Sequence, residues 1–291
     1  MNPPHVIPYQ GSKRKLAEQI LSNVQFKIEG DFYEPFAGSA AITLAAATKN
    51  MAQGYVIGDK FSPLTKLWSK IINDPIYVSD EYSKIWHSQL DDPKNYFLQI
   101  REEFNKDNDP VKFLYLVARC VKNAIRFNAS GEFNQSSDNR RLGMKPKKLE
   151  TGVKKVSSLL KNKTEIVSGD FMEILSNATS DDIVYMDPPW QGTSNKKNPR
   201  YAFLLELDQL IEGLNELNLR GVPYLLSFDG TCGDKKYGKD LPECLNLKKS
   251  WLGAGRSSQA ILLGRDDITV ESLYLSPALI KKNNSLKNSV I

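Results

Sequence analysis

The tetrapeptide Asp187-Pro188-Pro189-Trp190 puts an acceptor carboxylate, acceptor carbonyls and a flat aromatic face within four residues. It closes the apolar run Ile183-Val184-Tyr185-Met186, which reads as a short buried strand. A strand ending in an acid and two prolines sets the carboxylate at the carboxyl edge of a sheet, where open α/β folds bind ligands. The prolines fix φ and lack an N–H, so the turn is stiff and offers acceptors rather than donors. Trp190 adds a plane on which a planar group can stack. Together these groups suit an exocyclic amino group on a nucleobase. The plainer reading is a strand running into a proline turn, with Trp190 in the core.

Other strand ends carry related chemistry. Residues 31–36 (D-F-Y-E-P-F) predict a strand, followed by Ala37-Gly38-Ser39 and a helix over 40–48. Strand, small-residue turn and helix open a nucleotide-binding βαβ unit. The chain has no G-x-G-x-x-G, so a pyrophosphate cradle is not indicated. A second strand over 55–57 ends at Gly58-Asp59, and Asp59 lies 21 residues after Gly38, about where an acid meets ribose hydroxyls. A helix cap or turn is its rival role. The strand Thr164–Ser168 ends at Gly169-Asp170-Phe171. Asp170 can accept from an adenine amino group and Phe171 can pack on its ring; here too a helix cap is the rival. In the Pro/Gly-punctuated stretch 7–16, Lys13 and Arg14 beside Gly11 could hold a carboxylate. A plain surface loop reads equally well.

Apolar residues recur at helical spacing over 63–72, 96–104, 111–125, 153–160 and 204–219. Strand-like runs at 222–228, 245–248, 260–263 and 272–275 would finish a mixed sheet. The chain therefore reads as an α/β domain over 1–62 and 163–279, interrupted by a mostly helical insertion over 63–162. A polar loop at 191–201 is long and charged enough to act as a lid, and 280–291 is a polar tail, expected disordered from 281. Within the insertion, 126–134 leaves the helical pattern and mixes Arg126, Asn128 and Asn134 with Phe127 and Phe133. Asn and Arg read base edges or phosphates, and Phe stacks or wedges. Arg140, Arg141 and 145–148 extend the basic run on an expected loop.

Composition bounds the rest. The 291 residues are 41% hydrophobic and 25% charged, ordinary for a soluble globular protein. Cys120, Cys232 and Cys244 are three and far apart, which makes neither a disulfide framework nor a zinc pattern and favours a reducing, cytoplasmic setting. With only two histidines, no metal site is expected. No signal peptide or membrane-spanning run is read. The net charge is a modest +5, yet 119–163 holds 12 basic and 3 acidic residues, whereas 73–110 holds 4 basic and 9 acidic. A concentrated basic block is the footprint of a nucleic-acid binder, although a solvated basic face has the same composition.

In this order, P-Y-Q-G-S-K at 8–13, Y-E-P-F-A-G-S at 33–39, Asp59, R-F-N-A-S-G-E-F-N at 126–134, G-D-F at 169–171 and D-P-P-W at 187–190 resemble the Dam-type (D12 class) DNA adenine-N6 methyltransferases, in their group α arrangement. The resemblance spans roughly 7–275. It implies a Rossmann-like S-adenosylmethionine-dependent methyltransferase sheet, a helical target-recognition insertion, double-stranded DNA as substrate and, often, a companion restriction endonuclease. Carried over, Tyr9, Gly11 and Lys13 contact S-adenosylmethionine; Glu34, Phe36, Gly38 and Ser39 line its methionine end; Asp59 meets the ribose, and Asp170 and Phe171 the adenine. Asp187, Pro188, Pro189 and Trp190 are the catalytic motif. Arg126, Asn128, Phe133, Asn134, Arg140 and Arg141 belong to the DNA side. Trp190 replaces the family's usual Tyr, Tyr9 replaces a Trp, and Gln135-Ser136 stands where the Dam pattern has Val-Pro; these departures bear on the recognised sequence.

The chemistry implied is direct transfer. Asp187 and the Pro188 carbonyl each accept an N6 hydrogen and aim the nitrogen lone pair at the methyl group, with no covalent enzyme intermediate. The adenine must first leave the helix and stack on Trp190. Cytosine-C5 chemistry needs a Pro-Cys nucleophile, absent here. Cytosine-N4 methylation, RNA adenine methylation and a silent DNA-binding module are the rival readings.

Overall fold

A computed structural model describes residues 2–189, 205–232, 235–237, 241–256 and 268–288. Strands β1 (Asp31–Glu34), β2 (Gly54–Asp59), β3 (Thr164–Ser168), β4 (Ile183–Met186), β5 (Tyr224–Cys232), β6 (Lys235–Tyr237), β7 (Lys248–Arg256) and β8 (Ile268–Leu275) form one sheet. Its order is β3-β2-β1-β4-β5-β8-β7, with β6 paired to β5. The first five strands of that order are mutually parallel, whereas β8 and β7 join antiparallel. The winding reverses between β1 and β4. Their carboxyl ends therefore flank the switch-point crevice where doubly wound sheets take ligands. This is the α/β, Rossmann-like sheet expected.

The strand residues explain why both faces are covered. In β4, Ile183 and Tyr185 pack into one apolar cluster, and Val184 and Met186 into another on the opposite face. In β1, Phe32 and Tyr33 divide in the same way. Side chains alternate along a strand, so a run that is apolar throughout has to be buried on both sides.

Helix α1 (Ala17–Leu21) precedes the sheet and α2 (Ala41–Thr48) crosses from β1 to β2. Between β2 and β3 lie α3 (Ser62–Asn73), α4 (Pro75–Ser88), α5 (Pro93–Asp107), α6 (Pro110–Arg119) and α7 (Pro146–Leu160). Three of these start on an Asp-Pro pair. Asp74, Asp92 and Asp109 accept from backbone N–H groups of the first turn, and the following proline occupies the position where a missing N–H costs nothing. After β3 come α8 (Phe171–Ile174), α9 (Leu207–Leu219) and α10 (Pro277–Asn288).

Several expectations are corrected. The helix read over 111–125 stops at Arg119, because Cys120 is extended and Lys122 and Asn123 adopt positive φ of 59° and 52°. Helix α4 adds to the expected helices: Val78, Tyr82, Ile85 and Trp86 recur at helical spacing and pack on the core. Residues 146–148 open α7 rather than extend a loop, and β7 begins only after a 3₁₀ turn at Glu243–Leu245. The tail expected disordered from 281 is helical through Asn288: Leu279 is buried, and the Asn283 amide accepts from Gln25 N at 3.0 Å and donates to Asn23 O at 2.7 Å. The 191–201 loop and the strand read at 260–263 lie outside the described residues. Among the described residues no helix is long and apolar enough to cross a membrane.

Candidate active site

A cleft of about 990 Å³, counted with its open mouth, lies at the carboxyl ends of β1 to β4. Its floor is organised around Gly38. This residue sits at φ +48°, and a Cβ there would fall 3.2 Å from the Tyr9 ring, so the position needs glycine on both counts. Gly38 N donates to Asp59 Oδ2 at 3.2 Å, and Trp68 Nε1 donates to Gly38 O at 3.0 Å. Asp59 Oδ1 accepts from Phe61 N at 2.9 Å, which also gives it the turn role that was its rival reading. Burial pushes the Asp59 carboxyl up to about 6 against these two bonds. Ser39 Oγ donates to Ser12 Oγ at 2.7 Å, linking the turn after β1 to the N-terminal stretch.

Glu34, the last residue of β1, is 4% exposed. Its Oε2 accepts from Thr43 N at 2.7 Å and from Thr43 Oγ1 at 2.5 Å. Burial pushes its carboxyl up to about 7 despite those bonds, with the nearby Asp187 carboxylate adding to the shift. Phe36 stacks on Phe171 at 5.4 Å between centroids. Asp170 performs the helix-cap role for α8, accepting from Met172 N at 3.3 Å, while its other oxygen pairs with Lys60 at 3.3 Å. Gln10 Oε1, which lines the cleft, is buried with no hydrogen-bond partner among the described residues.

Asp187 opens into the same cleft from the end of β4, as do Pro189 and Tyr185. Lys13 Nζ lies 2.9 Å from Asp187 Oδ2 and 3.4 Å from Glu271 Oε2 on β8. Burial raises the Asp187 carboxyl above its ordinary value; the Lys13 ammonium opposes this and Glu271 adds to it. Tyr185 and Ser227 share a hydrogen bond of 3.0 Å, and burial first, then Asp187, drives the Tyr185 phenol well above its usual range. Trp190 lies outside the described residues.

The 126–141 segment lies apart from the lining of this cleft. Phe127 and Phe133 bridge as an antiparallel pair, and Asn134 N donates to Arg126 O at 3.0 Å. The Asn128 side chain closes the turn between them, accepting from Ser130 N at 3.0 Å and Glu132 N at 2.9 Å and donating to Glu132 Oε2 at 2.8 Å. Phe133, read as a stacking or wedging residue, is instead 1% exposed and packs edge-on against Phe104 and Phe127, so it cannot reach a base from this position. Asn134 is exposed and Arg126 half-buried, with its Nε lacking a partner among the described residues. Arg140 grips Asp138 through Nε and Nη2, both at 2.9 Å, and Arg141 reaches the same carboxylate at 3.3 Å. The arginines hold the Asp138 carboxyl well below the usual carboxylate range. Buried Arg119 donates to the carbonyls of Asp138, Arg141 and Pro93, tying this basic loop to α5 and α6.

Several residues of the site had no separate signal in the sequence. Trp68 and Thr43 fix Gly38 and Glu34 from helices whose apolar pattern already explained them. Lys60 is one lysine among many, and Glu271 is a single acid in a strand-like run.

Comparison with known proteins places the chain in a family. Residues 9–252 match the D12 class N6 adenine-specific DNA methyltransferase family. The Retron Ec67 DNA adenine methylase of Escherichia coli is 28% identical over 166 residues, covering 55% of each chain. The DNA N-6-adenine-methyltransferase of Escherichia phage P1 is 23% identical over 239 residues, 77% of this chain and 30% of that one. A DNA adenine methylase of Vibrio cholerae is 24% identical over 274 residues, 88% of this chain and 94% of the other. The chain thus spans about half and a third of the first two relatives and nearly all of the third. With the motifs in order and the family matched over most of its length, the chain belongs to the D12 class N6 adenine-specific DNA methyltransferases.

Proposed function

We propose that the protein is a site-specific DNA methyltransferase that moves a methyl group from S-adenosylmethionine to N6 of an adenine flipped out of double-stranded DNA. The observation that carries this reading is that Asp187 opens into the same cleft as Glu34, Asp59 and the Phe36–Phe171 pair.

The lining fits that donor by its chemistry. A buried carboxylate, Glu34, suits an amine; Asp59 suits a ribose diol; stacked aromatic rings suit an adenine ring; and the unpartnered Gln10 Oε1 awaits a donor. Bound there, S-adenosylmethionine supplies a methyl group on a positively charged sulfur. The chain's own groups do the rest. Asp187 and the Pro188 carbonyl accept from the two N6 hydrogens, restoring lone-pair density to a nitrogen that is a poor nucleophile while conjugated with the ring. Their stiff proline turn holds both acceptors in place, so positioning and electrostatics carry the rate. Trp190 supplies the stacking face, and Tyr9, Gly11, Lys13 and Ser39 shape the cofactor end.

On the DNA side the reading gives phosphate contact to Arg126, Asn134, Arg140 and Arg141, and makes Asn128 and Phe133 the residues that hold the 126–134 turn in shape. Residues 63–162 form the target-recognition part and 1–62 with 163–279 the catalytic part. A DNA substrate puts the protein in the cytoplasm of a bacterial, phage-infected or archaeal cell. A companion restriction endonuclease is a functional rather than physical partner, since adenine methylation would block cleavage at the shared site. The test is transfer of radiolabelled methyl groups to duplex DNA followed by nucleoside analysis: label in N6-methyl-2′-deoxyadenosine supports the reading, and label in N4-methyl-2′-deoxycytidine replaces its substrate base.

A further inference from the structure

Two carboxylates from distant parts of the chain share one ammonium in the cleft. Lys13 comes from the N-terminal stretch, Asp187 from the end of β4 and Glu271 from β8, and their side chains are 10%, 21% and 22% exposed. Glu271 Oε2 stands within ion-pair distance of Lys13 yet makes no hydrogen bond among the described residues.

The contact at Asp187 presents a difficulty for the proposed reaction. Lys13 occupies Oδ2 at 2.9 Å, and a carboxylate neutralised at that distance is a weaker acceptor for an incoming amino group. The ammonium must shift when the base arrives, and a side chain this little exposed needs another anion to shift towards. Glu271 is that anion, already 3.4 Å away.

We infer that Glu271 is a positioning residue for methyl transfer: it draws the Lys13 ammonium off Asp187 Oδ2, leaving that oxygen to accept from the substrate amino group. The inference rests on the reading of Asp187 as the N6 acceptor. With Glu271 in place, Lys13 keeps a counter-charge at both ends of its short excursion. Without it, Lys13 stays clamped to Asp187. The groups facing Asp187 are Lys13 from the N-terminal stretch, Glu271 from β8, Glu34 from β1 and Tyr185 from β4 itself. Since Glu271 raises the Asp187 carboxyl and Lys13 lowers it, loss of the Glu271 charge must move Asp187 to a lower pKa.

The test is Glu271→Gln, nearly isosteric, in the full-length protein, with Glu271→Asp as the conservative variant. Single-turnover methyl transfer should fall roughly 10- to 100-fold, the scale of a misplaced reacting group. The KM for DNA and the dissociation constant for S-adenosylhomocysteine should stay near wild type. The acid limb of the rate profile, where Asp187 protonates, should move to lower pH, and Glu271→Asp should recover part of both effects. A second readout needs no transfer: duplex carrying 2-aminopurine at the target base, with S-adenosylhomocysteine present, should show weaker retention of the flipped base in Glu271→Gln. A wild-type rate, or a slow variant with an unmoved acid limb and normal 2-aminopurine signal, would overturn the assignment. Loss of transfer in Asp187→Asn alongside a wild-type Glu271→Gln removes only this inference, whereas an active Asp187→Asn removes the reading beneath it.

Discussion

In the cleft Glu34 is buried and Asp59 half-buried, and each accepts from backbone N–H groups while its carboxyl lines the cavity. In the 126–141 segment, Arg140 is 81% exposed yet both of its gripping nitrogens close on Asp138, and the Asn128 amide closes its own turn. The cleft stores charge against a desolvation cost that a ligand can relieve. The basic segment pairs Arg140 and Arg141 with its own Asp138 and leaves much of the Arg140 side chain in water. The cleft should therefore respond sharply to single changes and to pH, and the basic segment mildly and through salt.

Removing the acceptor gives the largest effect. Asp187→Ala should reduce transfer by at least 10²- to 10³-fold, the range for losing a group aimed at the reacting centre, and leave the equilibrium constant for DNA within a few fold. Single-turnover kinetics beside a binding titration check this, and substantial remaining transfer would contradict the role of Asp187.

Next come the paired arginines. Neutralising Arg140 and Arg141 together should weaken DNA binding and reduce the slope of log K against log salt. Each phosphate contact contributes about 0.9 to that slope. Because both arginines share Asp138, a reduction near 0.9 rather than twice that is expected. An unchanged slope would show that neither meets phosphate.

The cleft's pH response follows from Glu34. Its carboxyl sits near 7 in the folded protein against 4.5 ordinarily. The folded state thus binds more protons than the unfolded state between those values, and stability of the cofactor-free protein falls as pH rises from 4.5 to 7, by roughly 3 kcal/mol. Asp59, raised from 3.8 to about 6, acts in the same direction. Glu34→Gln should raise Tm relative to wild type more at pH 8 than at pH 5; a pH-independent difference would contradict this. A cationic cofactor favours ionised Glu34, so the S-adenosylmethionine dissociation constant should rise towards tenfold per pH unit below 7, and Glu34→Gln should flatten that dependence.

The smallest effect is expected at Asn128. Replacing it with Ala removes the bonds that close the 128–132 turn and should cost about 0.5–2 kcal/mol, as for loss of a capping side chain, with DNA affinity falling only as far as the turn loosens. Thermal unfolding and a binding titration would separate the two. A large loss of affinity at unchanged stability would put Asn128 on the DNA.

How much of this was legible follows from the same contrast. Strand ends announce themselves: apolar runs closing on Glu34, Asp59 and Asp187 fix where those carboxylates emerge, because a strand buried on both faces leaves its functional groups nowhere else. Helix boundaries in the middle of the chain were less legible by periodicity, although the Asp-Pro pairs at 74, 92 and 109 marked three starts, including that of the unread α4. Partners far apart in sequence were not legible. Nothing local links Lys13 to Glu271 or Trp68 to the Gly38 carbonyl. In 126–141 the residue types pointed to nucleic acid, but the same types close turns and pair with one another, and only the fold separates these uses. Phe133 shows the difference: an aromatic in a basic stretch that the packing of Phe104 and Phe127 claims for the core.

The most direct test of the central claim is single-molecule sequencing of plasmid DNA from a methylation-free host expressing the wild-type chain, beside the Asp187→Ala variant. N6-methyladenine is expected at one short motif with the wild type and none with the variant. N4-methylcytosine, or plasmid left unmodified by a folded wild-type protein, would contradict that claim.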